Sequence, residues 1–228
     1  MEALILAGGL GTRLRSAVPS LPKCMAPVNG KPFIDYIIEY FSSQNIQRYI
    51  FSVGYLHESV TTHINNTFPS IDAVFVIEDK PLGTGGAIHL AGREAREENV
   101  LILNGDTLFK VNVDGLYSLH EKKQAECTLA LKPMNDFDRY GVVDLNDEKK
   151  VIQFNEKKKY KEGLINGGVY VLNLSSFLKN DWPEVFSFEK EYLEKSPKEK
   201  LLYGSVQDGY FIDIGIPEDY KKAQKELN

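Results

Sequence analysis

Cysteine is scarce in this chain, and the few that occur stand far apart. Cys24 and Cys127 are the only two among 228 residues, and neither has a partner at the spacing typical of a metal site. We therefore expect two reduced thiols, as in proteins of a reducing compartment. The four histidines are equally scattered, and their spacing indicates neither a metal site nor a catalytic pair.

Long hydrophobic runs are also missing. No apolar stretch approaches the roughly 20 residues that cross a bilayer, so the sequence predicts no membrane partner. The amino terminus carries an acid at Glu2, and its short apolar run ends in glycines, which is not the pattern of a signal peptide. We therefore expect a cytoplasmic protein.

A basic excess is absent as well. The formal net charge is -5 and the pI is about 5.5, so the chain lacks the positive surface that a nucleic-acid partner would require. A hydrophobic fraction of 43% and a charged fraction of 26% are ordinary for a globular protein. A chain of this length suits one large α/β domain, which we predict over residues 1–228.

Strand-like and helix-like segments alternate through the first half, a pattern typical of a parallel sheet covered by helices. The predicted strands are Ala3–Leu6, Tyr49–Val53, Ala73–Ile77 and Val100–Asn104. The first predicted helix begins at Pro32, and two more are predicted at Glu58–Phe68 and Thr84–Arg96. The second half predicts helices at Asp114–Lys123, Phe188–Lys195 and Pro217–Leu227, with strands at Glu126–Lys132, Gly141–Leu145, Val151–Asn155, Leu164–Leu172 and Tyr210–Ile214. The fold class is therefore α/β: a Rossmann-like, mixed but mainly parallel sheet flanked by helices, with a smaller, partly antiparallel part.

A glycine-rich loop follows the first strand directly. It has the sequence Gly8-Gly9-Leu10-Gly11-Thr12-Arg13, and Lys23 comes soon after it. Glycines let the backbone approach a ligand closely, and successive free N–H groups in such a turn form an anion-binding concavity. The spacing matches neither the Walker pattern nor the dinucleotide-binding fingerprint. The loop predicts a phosphate site of another kind, with a purely structural glycine turn as the alternative.

Two acids stand at the ends of apolar strands. Asp106 follows the strand Val100–Asn104 after one glycine, at the sheet edge where open α/β sheets bind ligands. Asp213 ends another apolar stretch. Mg²⁺ prefers one or two carboxylates together with phosphate oxygens and water. We therefore predict a Mg²⁺ site at this pair, although either acid alone could serve as a helix cap or a turn residue.

Further glycines interrupt the chain at Pro81-Leu-Gly-Thr-Gly-Gly86, before a predicted helix, and at Asn166-Gly167-Gly168, inside a predicted strand. The first can present a helix N-terminus to an anion or a base. The second, like Tyr140-Gly141, indicates either close approach by a ligand or a β-bulge.

These motifs occur together in the order of one family, and the chain resembles the sugar-1-phosphate nucleotidyltransferases over nearly its whole length. The resemblance rests on Gly8–Leu14, Pro22-Lys23, Lys31-Pro32, Pro81–Gly86, Gly105-Asp106, Glu156-Lys157, Asn166–Tyr170 and Asp213–Tyr220. Within the family it points to the enzymes that use D-glycero-α-D-manno-heptose 1-phosphate and GTP. Ser16 and Cys24 stand where many relatives carry proline, a departure that concerns subfamily more than chemistry.

The resemblance implies transfer of a nucleoside monophosphate from an NTP to a sugar 1-phosphate, with release of pyrophosphate and with Mg²⁺ as cofactor. It implies the nucleotide-diphospho-sugar transferase fold, with nucleotide bound by residues 1 to about 110 and sugar by the remainder. Catalysis is assigned to Arg13 and Lys23, and metal binding to Asp106 and Asp213. The nucleotide is assigned to Leu6, Ala7, Gly8, Gly9, Gly11, Thr12, Glu78, Pro81, Gly83 and Thr84, and the sugar to Asn104, Gly141, Glu156, Lys157, Asn166 and Gly167.

The base preference depends on Glu78, which lies at the position that family members use near the base edge. Guanine presents two adjacent donors, N1–H and N2–H₂, which a carboxylate can accept together. Thymine and uracil present one donor between two carbonyl acceptors, a poorer partner for an anion. Glu78 therefore favours GTP, unless its side chain faces solvent.

Three other functions stay open. The same chemistry could use mannose, glucose or muramic acid 1-phosphate with GTP, UTP or dTTP. A nucleotide-sugar-dependent glycosyltransferase usually carries Asp-x-Asp, whereas this chain has Gly105-Asp106-Thr107 at that place. An inactive regulatory module would lack the loop arginine or the lysine, and both are present. The sequence does not fix the oligomeric state, so a homo-oligomer also stays open.

Overall fold

A seven-stranded sheet forms the centre of the molecule, whose computed structural model describes residues 1–9, 11, 14, 18–195 and 197–227. Across the sheet the strands are β12 (Leu202–Val206), β8 (Cys127–Phe137), β11 (Tyr160–Asn173), β6 (Asn99–Asn104), β1 (Glu2–Leu6), β4 (Arg48–Val53) and β5 (Asp72–Ile77). β11 is antiparallel to both of its neighbours, and every other neighbouring pair is parallel. The predicted mainly parallel sheet is confirmed, and the strands of the second half extend it.

Helices cover both faces of the sheet, so each face has its own hydrophobic core. Ala3 and Ile5 of β1 pack into one core, and Leu4 between them packs into the other. The first core lies under α1 (Phe33–Ser42), α2 (His57–Thr67), α4 (Val113–Lys123) and α6 (Pro217–Glu226). The second lies under α3 (Gly83–Ala91), α5 (Leu174–Leu178) and a π-helix (Phe188–Glu194). Across the described ranges, no helix is both long and apolar enough to span a membrane.

In the described part of the chain, three short antiparallel pairs stand outside the main sheet. They are β7 (Thr107–Phe109) with β13 (Phe211–Asp213), β9 (Val143–Leu145) with β10 (Val151–Phe154), and β2 (Pro27–Val28) with β3 (Lys31–Pro32). The first pair ties the chain after β6 to the strand before α6. It thereby brings two distant parts of the sequence to one edge of the sheet.

Several predicted element bounds were wrong. The helix predicted to reach Arg96 ends at Ala91 and tightens into a 3₁₀ turn at Gly92–Glu94, where Gly92 packs closely against Leu174. The helix predicted over Phe188–Lys195 is a π-helix. The strands β7 and β12 and the short helix α5 were not predicted, because their few residues carry too little periodicity to identify them.

His120 is a buried histidine that serves the fold. Its ring nitrogens lie 3.0 Å from Thr128 Oγ1 and 3.1 Å from Asn99 Oδ1, and burial lowers its pKa from 6.5 to about 4. Between these values the unfolded chain binds a proton that the folded chain does not, so stability falls as the pH falls through this window.

We expect the free energy of unfolding to show this effect. As the pH falls from about 7 to 4, the free energy of unfolding of the wild type should fall on the order of 2 kcal/mol further than that of His120→Gln. Urea unfolding at each pH measures both. The other titratable groups contribute equally to the two proteins, so the difference between the curves reports His120 alone. Parallel pH curves would contradict the assignment.

Candidate functional site

The candidate site lies at the carboxyl edge of the parallel strands. Beyond Leu6, the Ala7 N–H donates a 2.8 Å hydrogen bond to the Ser52 carbonyl of β4. Beyond β6, the Gly105 N–H donates a 3.0 Å bond to the Leu6 carbonyl. A Cβ on Gly105 would stand 2.7 Å from that carbonyl oxygen, so the close approach of these two loops requires glycine. The loop after β1 and the Asp106 turn are thus fixed side by side.

The described part of the glycine-rich loop contacts two predicted site residues. A Cβ on Gly8 would lie 2.2 Å from the Glu78 Oε1 atom. Gly11 has a φ of +58° and stands over Lys23, whose Cβ is 3.1 Å from where a Gly11 Cβ would be. The predicted residues Thr12 and Arg13 lie outside the described residues.

Glu78 is held against this loop. Its Oε1 accepts a 2.8 Å hydrogen bond from the Ser52 hydroxyl, and its Oε2 accepts a 3.2 Å bond from the Leu82 N–H. The Glu78 N–H in turn donates to the Val53 carbonyl at 2.7 Å. The carboxylate is therefore oriented by the protein rather than extended into solvent.

A lysine and two carboxylates meet at the centre of the site. Asp213 pairs with Thr107 in the β7–β13 ladder, and the Ile214 N–H donates a 3.0 Å bond to the Asp106 carbonyl. This backbone pairing puts Asp106 and Asp213 side by side. The Lys23 ammonium forms an ion pair with Asp106 and lies 4.0 Å from Asp213 Oδ1, while its side chain is only 11% exposed.

The charge balance of this centre favours a further cation. Burial, followed by the negative charge of Asp106, raises the pKa of Asp213. The Lys23 ammonium and the Gly215 N–H, which donates to Asp213 at 2.6 Å, lower that pKa without cancelling the increase. Within the described ranges no third acidic, histidine or cysteine ligand completes a metal cluster. Two carboxylates alone suit Mg²⁺ that also binds phosphate oxygens and water.

Among the cavities that the described residues form at this edge, two meet at the lysine and the carboxylates. The first, of about 270 Å³, is lined by Lys23 and Asp106 and by the predicted nucleotide residues Leu6, Ala7, Gly8, Gly9, Glu78, Pro81, Gly83 and Thr84. The second, of about 470 Å³, is lined by Asp106 and Asp213 and by the predicted sugar residues Asn104, Gly141, Lys157, Asn166 and Gly167. Asn104 and Asp106 belong to both cavities, so occupants of the two can meet there.

Glu156 is the predicted sugar residue that is not brought to this lining. Among the described residues, Asn155 and Lys157 on either side of it line the second cavity, and Glu156 itself is exposed. Its carbonyl accepts a 2.9 Å bond from the Tyr160 hydroxyl. The side chain is thus adjacent to the cavity, on a loop.

The glycines at the start of α3 allow another segment of the chain to pack closely against this helix. A Cβ on Gly83 would stand 2.4 Å from the Phe186 carbonyl oxygen, and one on Gly85 would stand 2.2 Å from the Phe186 ring. The Gly85 N–H also donates a 3.0 Å bond to that carbonyl. These contacts seat the segment before the π-helix on α3, a packing role that the sequence did not indicate.

The glycines in β11 form the β-bulge that was one of the two alternatives. The register with β8 shifts between Asn166 and Tyr170. Gly168 has a φ of +71° and lies against the Asn104 amide, while a Cβ on Gly167 would stand 2.3 Å from the Phe109 ring. The bulge therefore needs both glycines, and it still lines the second cavity.

Sequence reasoning missed the residues that the π-helix segment contributes. Ser187, Glu189, Lys190 and Glu194 all line the second cavity. Their charges resembled those of an ordinary solvated helix. A π-helix has no periodic signature that distinguishes it from an α-helix over so few residues, so no pattern could have identified them.

Cys24 lines the first cavity but is not a nucleophile. Burial, followed by the nearby charge of Asp106, raises its pKa to about 12, so the thiolate is scarce near neutral pH. Within the described residues, neither cavity is lined by a histidine. The site therefore offers cations, carboxylates and backbone amides, which stabilise charge, rather than a poised base or nucleophile.

The chain is similar in sequence and in fold to proteins of known description. The family description that matches the chain is Nucleotidyl transferase, over residues 2–228. A D-glycero-alpha-D-manno-heptose 1-phosphate guanylyltransferase of Aneurinibacillus thermoaerophilus is 52% identical over 227 residues, covering 100% of this chain and 98% of that protein. A protein of the same name from Campylobacter jejuni is 46% identical over 220 residues, covering 96% and 97%. The crystal structure of HddC from Yersinia pseudotuberculosis complexed with GMP-PN has a TM-score of 0.87 at 34% identity, covering 100% of this chain and 99% of that one.

Proposed function

Because the chain belongs to the nucleotidyl transferase family, we propose that it transfers GMP from GTP to D-glycero-α-D-manno-heptose 1-phosphate and releases pyrophosphate. Two relatives that match it over nearly their whole length carry the name of this activity. The observation that carries the proposal is the meeting of two cavities at Asp106, where Lys23 and Asp213 also converge. We further propose the cytoplasm, where GTP is supplied, as its place of action.

In this proposal GTP occupies the first cavity and the sugar 1-phosphate the second. The amides of Gly8 and Gly9 face the triphosphate, with Arg13 neutralising the departing pyrophosphate. Gly141, Lys157 and Asn166 contact the sugar. The α-phosphate of GTP and the incoming phosphate then lie together near Asp106, where the linings overlap.

Asp106 and Asp213 are proposed to hold Mg²⁺. Their adjacent carboxylates fit this ion, because two carboxylates face the single Lys23 ammonium and one negative charge is left without a partner. When bound, Mg²⁺ supplies neutralisation of the α-phosphate oxygens. Lys23 already neutralises Asp106 in this structure. With both substrates in place, we propose that the same ammonium turns to the phosphates.

The chemistry needs positioning rather than proton transfer. The attacking oxygen belongs to a sugar phosphate that is already an anion, so no general base is needed to activate it. The barrier arises instead from bringing two anions together and from the charge that develops on the leaving pyrophosphate. Lys23 and the loop amides stabilise that charge, and the two cavities align the reactants.

A pyrophosphate-release screen tests the proposal. ATP, GTP, CTP and UTP are each combined with heptose, mannose, glucose and amino-sugar 1-phosphates in the presence of Mg²⁺. GTP with heptose 1-phosphate is expected to give the highest kcat/KM. A higher kcat/KM for another pair would support the same reaction with a different substrate. No release with any pair would favour an inactive binding module or a glycosyltransferase.

Glu78→Gln should weaken the selection of guanine. Glutamine keeps the shape and can still accept from the Ser52 hydroxyl, but it loses the charge that accepts two guanine donors. We expect the ratio of kcat/KM for GTP over UTP to fall about tenfold, as for one lost charge-assisted hydrogen bond. Asp79→Asn, which neutralises the adjacent exposed acid, should leave the ratio unchanged. An unaltered ratio in Glu78→Gln would remove Glu78 from base recognition.

A further inference from the structure

A hydrogen bond joins the walls of the two cavities, in addition to the residues Asn104 and Asp106 that both cavities share. Thr84 lines the first cavity and Glu189 lines the second. The Thr84 hydroxyl donates a 2.7 Å hydrogen bond to Glu189 Oε2. Because the acceptor is a carboxylate, this bond belongs to the shorter and stronger charge-assisted kind. The first turn of α3 and the π-helix are therefore linked at the cavities themselves.

Both members of this pair are oriented by further hydrogen bonds. The same Glu189 oxygen accepts a 3.0 Å bond from the hydroxyl of Ser187, which also lines the second cavity. Thr84 Oγ1 accepts a 2.9 Å bond from the Phe188 N–H at the start of the π-helix. With one donated and one accepted bond, the Thr84 hydroxyl has a fixed direction toward the π-helix.

The chain before the π-helix is docked on α3 by its backbone. The Phe186 N–H donates to the Leu82 carbonyl at 3.0 Å, and the Gly85 N–H donates to the Phe186 carbonyl at 3.0 Å. The buried Phe186 ring stacks on Trp182 with 5.0 Å between ring centroids. Because these contacts do not involve the Thr84 or Glu189 side chains, the segment stays docked when that side-chain bond is removed. The bond sets the fine placement of the two walls.

The relative placement of the two walls matters because the reactants occupy different cavities, and here the inference rests on the proposed function. In-line attack requires that the α-phosphate of GTP and the incoming phosphate be aligned. A displacement of about 1 Å between reacting groups can lower the rate on the order of a hundredfold. A bond that holds one cavity wall against the other therefore acts on the alignment without touching the reacting atoms.

We propose that Thr84 and Glu189 are positioning residues, which hold the wall of the first cavity in register with the wall of the second. Each substrate alone needs only its own cavity, so its affinity does not depend on the bond between the walls. A ligand that spans both cavities, or a transition state that joins both substrates, does depend on it.

Binding of ligands that fill one cavity or both tests the proposal without requiring turnover. Calorimetry with Mg²⁺ gives the Kd of GDP, heptose 1-phosphate and the spanning product GDP-heptose. The proteins are the wild type, Glu189→Met, Thr84→Val, the double variant and Thr84→Ser, which keeps the hydroxyl. Thr62→Val and Glu199→Met are matched controls at exposed positions outside the cavity linings that the structure describes. The kcat of pyrophosphate release is measured on the same proteins.

We expect each single variant to weaken GDP-heptose and to lower kcat about tenfold, while GDP and heptose 1-phosphate change less than about twofold. The double variant should lose no more than either single variant, because both remove the same bond. Thr84→Ser and the two controls should match the wild type. The proposal would be overturned by single variants that bind GDP-heptose normally, by losses that multiply in the double variant, or by an equal loss for GDP or heptose 1-phosphate alone.

Pyrophosphate release by the wild type separates this inference from the proposed function. Release with GTP and heptose 1-phosphate, together with GDP-heptose binding that ignores Thr84 and Glu189, leaves the function intact and removes the positioning role. GDP-heptose binding that depends on the pair, in a protein that releases no pyrophosphate, contradicts the transfer reaction and supports the link between the cavities.

Discussion

Asp106→Asn is expected to lower turnover on the order of a thousandfold, the upper range for one group that stabilises transition-state charge. Asp106 lines both cavities, pairs with Lys23 and stands beside Asp213. Asparagine has nearly the same shape but no charge, so the variant should bind Mg²⁺ weakly and leave the Lys23 ammonium without its partner.

Steady-state pyrophosphate release at saturating GTP and sugar 1-phosphate measures this loss, with a Mg²⁺ titration for each protein. Asp147→Asn neutralises an exposed turn residue and should match the wild type. Raised Mg²⁺ concentration should recover part of the activity of Asp106→Asn. Near-normal turnover in a folded Asp106→Asn protein would show that the reaction does not depend on this carboxylate.

Lys23→Met is expected to lower turnover by about a hundredfold or more, through loss of one transition-state charge contact. Lys23 is almost fully buried between the two carboxylates, and the glycine-rich loop passes over its stem at Gly11. Methionine retains much of the apolar stem and removes the charge. The metal site should not weaken, because the positive charge that competes with Mg²⁺ for Asp106 disappears.

The informative comparison is between turnover and Mg²⁺ dependence. Lys23→Met should lose kcat while its half-saturating Mg²⁺ concentration stays the same or falls. Lys179→Met, which removes an exposed lysine, should change neither. A Lys23→Met protein that regained full turnover at high Mg²⁺ would indicate that Lys23 only assists metal binding and does not act on the phosphates.

The centre of the site could be predicted because each of its parts is a local feature at a strand end. Apolar strands that end in Gly8 or Gly105-Asp106 indicate a carboxyl edge, and the carboxyl ends of parallel strands meet there. Asp213 could be predicted as a site residue from its position at the end of an apolar stretch alone. The order of the strands was not predicted, and the structure places β1 between β6 and β4.

The part of the second cavity that the π-helix Phe188–Glu194 lines could not be predicted, because it depends on tertiary contacts. Glu189 and Glu194 reach the cavity because the π-helix turns Phe188 into the core, and Phe186 seats the segment on the glycines of α3. These contacts join residues about a hundred positions apart, as the Thr84–Glu189 bond shows with a separation of 105. Periodicity over seven residues cannot distinguish the π-helix from an α-helix.

The fate of the phosphates of GTP tests the central claim most directly. The enzyme is incubated with heptose 1-phosphate, Mg²⁺ and GTP labelled at either the α- or the γ-phosphate. Transfer at the α-phosphorus predicts that the α-label appears in GDP-heptose and the γ-label in pyrophosphate. The account would be contradicted by a γ-label in the sugar product or in orthophosphate. It would also be contradicted by an α-label recovered only in guanosine nucleotides that carry no sugar.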